Sequence, residues 1–159
     1  MKLIKLGFFS VIILFTLVTC IGLLFPSKVI VSRAVDISQN PDSIYIYLKD
    51  FYGWKQWVNG MQHQSVTSST ETKIGSSTIK ILSSNPKEIK GEWIEKNGDI
   101  QKTTIDLISS QNKTLVHWQF EQDLKWYPWQ RFGSMVNDKV IGSMMESNLA
   151  NLVKLVERK

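Results

Sequence analysis

His63 and His117 are the two side chains in this sequence that would exchange a proton near neutral pH. His117 alternates with Val116 and Trp118, so an outward strand face is expected for it. His63 follows two short helical segments beside a loop and is expected near any opening they frame. Neither belongs to a recognisable catalytic set. No Ser-His-acid order, HExxH, glycine-rich phosphate loop or CxxC is present. Cys20 is the single cysteine, which excludes a disulfide framework, and no Cys/His cluster offers zinc ligands. No cofactor, metal or catalytic residue is therefore expected.

Binding chemistry is better represented. The chain carries six Trp, seven Phe and four Tyr among 159 residues. Strand alternation puts Trp93, Ile105, Leu107, Trp118 and Phe120 on inward faces, where they would line an apolar pocket or simply pack. Trp54 and Trp57, with Trp126 and Trp129, fall in or beside loops and are expected near a cavity entrance. There they would act as a rim, as clasps for the short helices, or as contacts to a membrane interface. Met135, Met144 and Met145 lie on a C-terminal helical stretch, and methionine adapts to irregular apolar ligands as well as to cores. Arg33 shares a strand face with Val29, Val31, Val35 and Ile37. A cation there needs a partner: a ligand carboxylate or phosphate, an acidic neighbour, or water at the sheet's end.

These residues need elements to hold them. The spacing predicts a strand over residues 28–37. A helix follows, with Asn40 as its cap, Pro41 in its first turn, and Ile44, Tyr47, Leu48 and Phe51 on one side. Gly53 ends it, and a short turn carries Trp54 and Trp57. Asn85-Pro86, Asn97-Gly98-Asp99 and Gln111-Asn112-Lys113 mark turns of an antiparallel meander. Its strands are predicted over 77–83, 87–95, 100–109 and 114–123. Residues 62–74 are rich in Ser and Thr, and their strands are less defined. One long helix is predicted over 130–157, weakened at Gly133 and Gly142. A curved sheet with one apolar face would close on that helix and leave a cavity between them.

Residues 6–25 form an uncharged apolar run between Lys5 and Lys28. As a helix it would be about 30 Å long, the thickness of a bilayer core. Three readings stay open: an uncleaved anchor, a lipoprotein signal ending at Cys20, and a cleaved signal. The exit Leu24-Phe25-Pro26 suits cleavage poorly, so an anchor over 1–27 and a domain over 28–159 are expected. Lys2 and Lys5 favour an inside N-terminus, which places the domain on the non-cytoplasmic side; Lys28 and Arg33 dilute that bias. The net charge is +5 but scattered, which argues against a nucleic-acid surface.

Two blocks carry a resemblance: VSRAVDISQNPDSIYIYLKDFYGWKQWVNGM, residues 31–61, and DLKWYPWQRFGSMVNDKVIGSMMESNLANLVKLVERK, residues 123–159. In these blocks the chain resembles the START-like (SRPBCC) superfamily, in its polyketide cyclase and lipid-transport branch. The resemblance implies an α+β helix-grip fold, a curved antiparallel sheet wrapped around a long C-terminal helix. It carries no catalytic motif. Gln62–Ser76 shortens a hairpin that is longer in the family, which bears on whether the cavity closes. The expected function is a membrane-anchored module binding a hydrophobic or amphipathic small molecule, with lipid included. A cyclase- or hydratase-type enzyme and a protein-interaction domain are the alternatives.

Overall fold

The structure is a computed structural model that describes residues 2–158, leaving aside the side chains at 2, 3, 135 and 137. Its elements, in chain order, are α1 (Lys2–Leu23), β1 (Lys28–Ile37), α2 (Pro41–Leu48), α3 (Phe51–Trp54), β2 (Glu71–Ile74), β3 (Ser77–Asn85), β4 (Glu88–Ile94), β5 (Ile100–Ser110), β6 (Lys113–Asp123), α4 (Pro128–Gly133), a 3-10 turn (Ser134–Val136) and α5 (Asn137–Glu157). Every strand pairing is antiparallel, in the order β1-β6-β5-β4-β3-β2.

Strands β2 to β6 form the predicted meander, extended by a hairpin that the Ser/Thr-rich segment obscured. Only Gly75 and Ser76 separate the Ile74–Ser77 pair. Gly75 has φ +59°, the left-handed value a two-residue hairpin demands. Gly98, at φ +83°, takes a positive φ in the longer β4–β5 turn. Strand β1 then adds beside β6, ten residues in register from Lys28–Asp123 to Ile37–Thr114. A register shift between Ile81 and Ser83 leaves Leu82 on the surface and bends β3.

Alternation places Val31, Ile79, Ile81, Ile89, Ile105, Leu107, Val116, Trp118 and Phe120 on the concave face. Met145, Leu149, Leu152 and Val156 of α5 close over them, with α5 packed along β1. This is the helix-grip arrangement, α+β as expected.

Two local expectations change. The C-terminal helix starts earlier, at Pro128, and is broken rather than continuous from 130. Gly133 gives no side-chain support to the turn, and the Ser134 hydroxyl donates back to the Arg131 carbonyl at 2.7 Å, a bond that bends helices. Asn40 precedes α2, but its side chain makes no cap bond. Its backbone carbonyl accepts from Ser43 and Ile44 instead, and Pro41 removes one donor that a cap would have served.

Candidate functional site

Tryptophans occupy the centre of the grip. Trp54 and Trp57 were expected at an entrance, yet both are buried, at 1% and 0% exposure. Asp50 caps α3 by accepting from the Gly53 amide at 2.8 Å, and this turn aims both indoles inward. The Trp54 Nε1 donates to the Leu48 carbonyl at 2.8 Å and Trp57 Nε1 to the Tyr47 carbonyl at 3.0 Å. With Trp118 they form a triad whose ring centres lie 5.5–6.3 Å apart, within the range for edge-on aromatic pairs. Trp118 Nε1 donates to the Thr103 hydroxyl at 2.8 Å. Of the readings the sequence left open for this pair, the geometry fits clasps for the short helices and not a rim; a Trp-x-x-Trp spacing places both on one face without saying which way that face points.

The space between sheet and α5 is consequently almost full. A small pocket of about 10 Å³ lies there, bordered by Val29, Val31, Gln101, Phe120, Gln122 and Ile141. Directly outside it lies a cleft of about 440 Å³, which shares Gln101, Gln122 and Ile141 with the small pocket. The β4–β5 turn walls one side with Glu95, Asn97 and Asp99. The other side is α4 and the turn after it, with Gln130, Gly133 and Ser134.

Asp99 organises this cleft. Its side chain is only 13% exposed and pairs with Lys125 at 2.7 Å. It also accepts from Asn97 Nδ2 at 2.9 Å and Gln130 Nε2 at 3.3 Å, joining the hairpin turn to α4. The bond from Asp99 holds the Lys125 ammonium above the ordinary lysine range. Gln101 donates to Glu95 at 2.8 Å. Trp93 stands opposite Gln101 in the sheet, edge-on to Phe120, and its Nε1 is buried with no acceptor among the described residues. The rim therefore carries amides and carboxylates, with Leu124 and Ile141 as the apolar residues of its lining.

The remaining sequence candidates fall elsewhere. Ile105, Leu107 and Phe120 lie on the concave face, with Phe120 against the small pocket. Met145 is core, and Met144 is half-buried and accepts from Asn148 Nδ2 at its sulfur. The side chain of Met135 lies outside the described residues. Arg33 reaches over Gly142, where an added Cβ would strike its guanidinium, and pairs with Asp138 at 3.1 Å and Glu146 at 2.5 Å. Those bonds, Asp138 first, raise its pKa further. It braces β1 to α5 with its charge already matched. His63 is exposed, and His117 faces outward, 3.4 Å from Asp106.

The cleft residues Gln101, Gln122 and Ile141 were not singled out in the sequence. A signal existed: continuing the alternation that selects Trp118 and Phe120 by one more step selects Gln122, and stepping back from Ile105 selects Gln101. A larger groove of about 660 Å³ lies between the start of α2, the Pro86 turn and β5, with no lining from α5.

The α1 helix meets the domain beside the cleft. Pro128 packs against Gly22, whose Cβ would lie 3.3 Å from the Pro128 Cα. Phe25 stacks edge-on against Phe132. Arg131, 7% exposed, donates to the Phe25 carbonyl at 2.6 Å and to the Lys125 carbonyl at 3.0 Å. Carbonyls just past a helix C-terminus carry partial negative charge, so a buried guanidinium suits that position. Ile4–Leu23 is long and apolar enough to cross a membrane, a property signal sequences share.

No family model matches the sequence, and no curated protein matches it. Solved structures do. A START superfamily protein from Mycobacterium smegmatis is 17% identical with TM-score 0.62, over 81% of this chain and 97% of that one. The di-domain ARO/CYC protein StfQ of the steffimycin biosynthetic pathway is 10% identical with TM-score 0.66, over 82% of this chain. DynU16, from the dynemicin biosynthetic locus, is 13% identical with TM-score 0.61, over 80% of this chain. The chain spans about half the length of the latter two, 52% and 47%. Helix and sheet order, curvature and these likenesses together define a START-like, helix-grip fold.

Proposed function

We propose that the chain is a membrane-anchored binding module, with residues 1–27 as anchor and 28–159 as domain. It takes an amphipathic small molecule, lipid included, at the open end of the grip. The observation that carries this reading is the 440 Å³ cleft walled by amide and carboxylate side chains, with Leu124 and Ile141 as the apolar part of its lining. A polar head would bond to the amides of Gln101 and Gln130, which line the cleft. The apolar part would lie against Ile141 and Phe120 and widen the small pocket behind them. The domain faces the non-cytoplasmic side, which an alkaline phosphatase fusion at Lys159 tests: activity supports that orientation and its absence reverses it. The Asp99 carboxylate in the cleft wall is already bonded to Lys125, Asn97 and Gln130, which favours binding over catalysis.

The full chain, extracted from membranes and studied by native mass spectrometry, tests the binding reading. A discrete added mass that is lost on denaturation supports it. Gly133→Trp sharpens the test, because Gly133 lines the cleft and an added Cβ there meets nothing within 4 Å. This variant should lose the added mass while melting near the wild-type temperature. A clean apo mass after incubation with total lipid extract overturns the reading. It would favour a protein-interaction domain, which the packed interior also suits.

A further inference from the structure

We infer that α4 and the start of α5 lie in the interfacial layer of the same bilayer that α1 spans. Trp126 and Trp129 are exposed at 54% and 63%, unlike Trp54, Trp57 and Trp118. Tyr127 stacks between them, parallel to Trp129 with ring centres 4.9 Å apart and at the same distance from Trp126. Trp129, Phe132, Val136 and Val140 follow at spacings of three and four, and all four are exposed. That spacing makes one stripe along a helical path.

Its height fixes the occupant. Pro128 touches Gly22, in the last turn of α1, so the aromatic ladder stands where the apolar span ends. Leu24, just past α1, is 84% exposed. Tryptophan and tyrosine concentrate at this depth, where an apolar ring and a polar N–H or O–H suit the boundary. The Arg131 clamp and the Phe25–Phe132 contact hold α4 against α1, so the stripe is held beside the span. On the opposite side of this segment Gln130 and Ser134 line the cleft. The cleft rim is thereby set at the membrane surface, where an amphipathic ligand could pass between bilayer and domain. This inference rests on reading α1 as a membrane span.

The test uses the full chain in phosphatidylcholine vesicles, with bromine placed high on the acyl chain as a short-range quencher of tryptophan emission. Two of the six tryptophans are in the stripe, so about a third of the emission should be quenched. Replacing both, Trp126→Ala with Trp129→Ala, should abolish that quenchable part while near-ultraviolet dichroism shows an intact core. Unquenched wild-type emission, or equal quenching in the double variant, overturns the inference. So does a blue-shifted, unquenched emission that depends on protein concentration, which would make a second copy the occupant. Alkaline carbonate separates the two failures. A chain that it extracts was never inserted, and the membrane reading falls too. A chain that resists extraction but is not quenched refutes the interfacial placement alone.

Discussion

Replacing Trp118 by alanine should decide whether the grip of this fold is filled or hollow. Trp118 is fully buried and touches Trp54, Trp57 and Phe120. Truncating a buried tryptophan costs about 3–5 kcal/mol in lost transfer energy and residual cavity. The Thr103 hydroxyl, 4% exposed, would also lose the donor it accepts from, at a further cost of about 1–3 kcal/mol. The sum is a large share of the roughly 5–15 kcal/mol that stabilises a domain. Trp118→Phe keeps most of the packing and loses mainly that hydrogen bond, so a cost of about 2 kcal/mol is expected. The assay is thermal unfolding of the full chain in detergent, followed by near-ultraviolet dichroism. Each kcal/mol should lower Tm by about 3–5 °C in a domain of this size. The alanine variant should therefore melt far below wild type, and the phenylalanine variant roughly 8 °C below. Indole should partly restore the alanine variant, because a dry apolar cavity binds small aromatics. At a hundredfold excess over its Kd, indole would return about 2.7 kcal/mol. An alanine variant that melts within a few degrees of wild type and ignores indole would refute the reasoning. The indoles would then line an open chamber instead of packing one another.

Gly53→Ala should be strongly destabilising, by roughly 2 kcal/mol or more, because its Cβ would fall 2.6 Å from the Tyr47 carbonyl oxygen and neither backbone can yield cheaply; a melting temperature equal to wild type would contradict this. The Lys28–Glu121 pair, 2.7 Å apart, makes stability depend on pH. The bond from Lys28 holds Glu121 below its ordinary value of 4.5, so the carboxylate's contribution is present above 4.5 and is lost as pH falls through the lowered value. The bond from Glu121 holds Lys28 above its ordinary 10.5, so that contribution is present below 10.5 and is lost as pH rises through the raised value. Melting curves of Glu121→Gln should differ from wild type between those limits, converge with it in acid and lie closer to it in high salt; a difference that persists in acid would mean the charge is not its source.

Much of this architecture was legible in the sequence because its signals are local. The apolar run at residues 6–25, the turns at Asn97-Gly98 and Gln111-Asn112, and the period-two faces around Trp118 each follow from a few neighbouring residues. Strand limits agree within a few residues because turn chemistry marks where pairing ends. The short β2 was obscured because Ser and Thr suit loops and strands alike, leaving Gly75 as its main mark.

What sequence alone determined, then, is the composition of each face: apolar inward, polar outward, with aromatics concentrated on both sides of the grip. It also showed that Arg33 needs a partner, since one cation among four apolar strand neighbours requires it. Only the tertiary structure decided which partner that is. Asp138 and Glu146 come to Arg33 across more than a hundred residues, and no spacing encodes that approach. The tertiary structure also decided where the tryptophans go. Trp54, Trp57, Trp126 and Trp129 look alike in sequence, each with a Lys or Gln beside it in a short segment. The first pair turns into the core because Asp50 caps α3 and the Leu48 and Tyr47 carbonyls await their indole N–H groups. The second pair stays outside because α4 spends its buried side on α1, through Pro128 and Arg131. Side-chain volume sets the rest. Two indoles inward fill the middle of the grip, and one open cleft lies at its end, between Asp99 and Gln130.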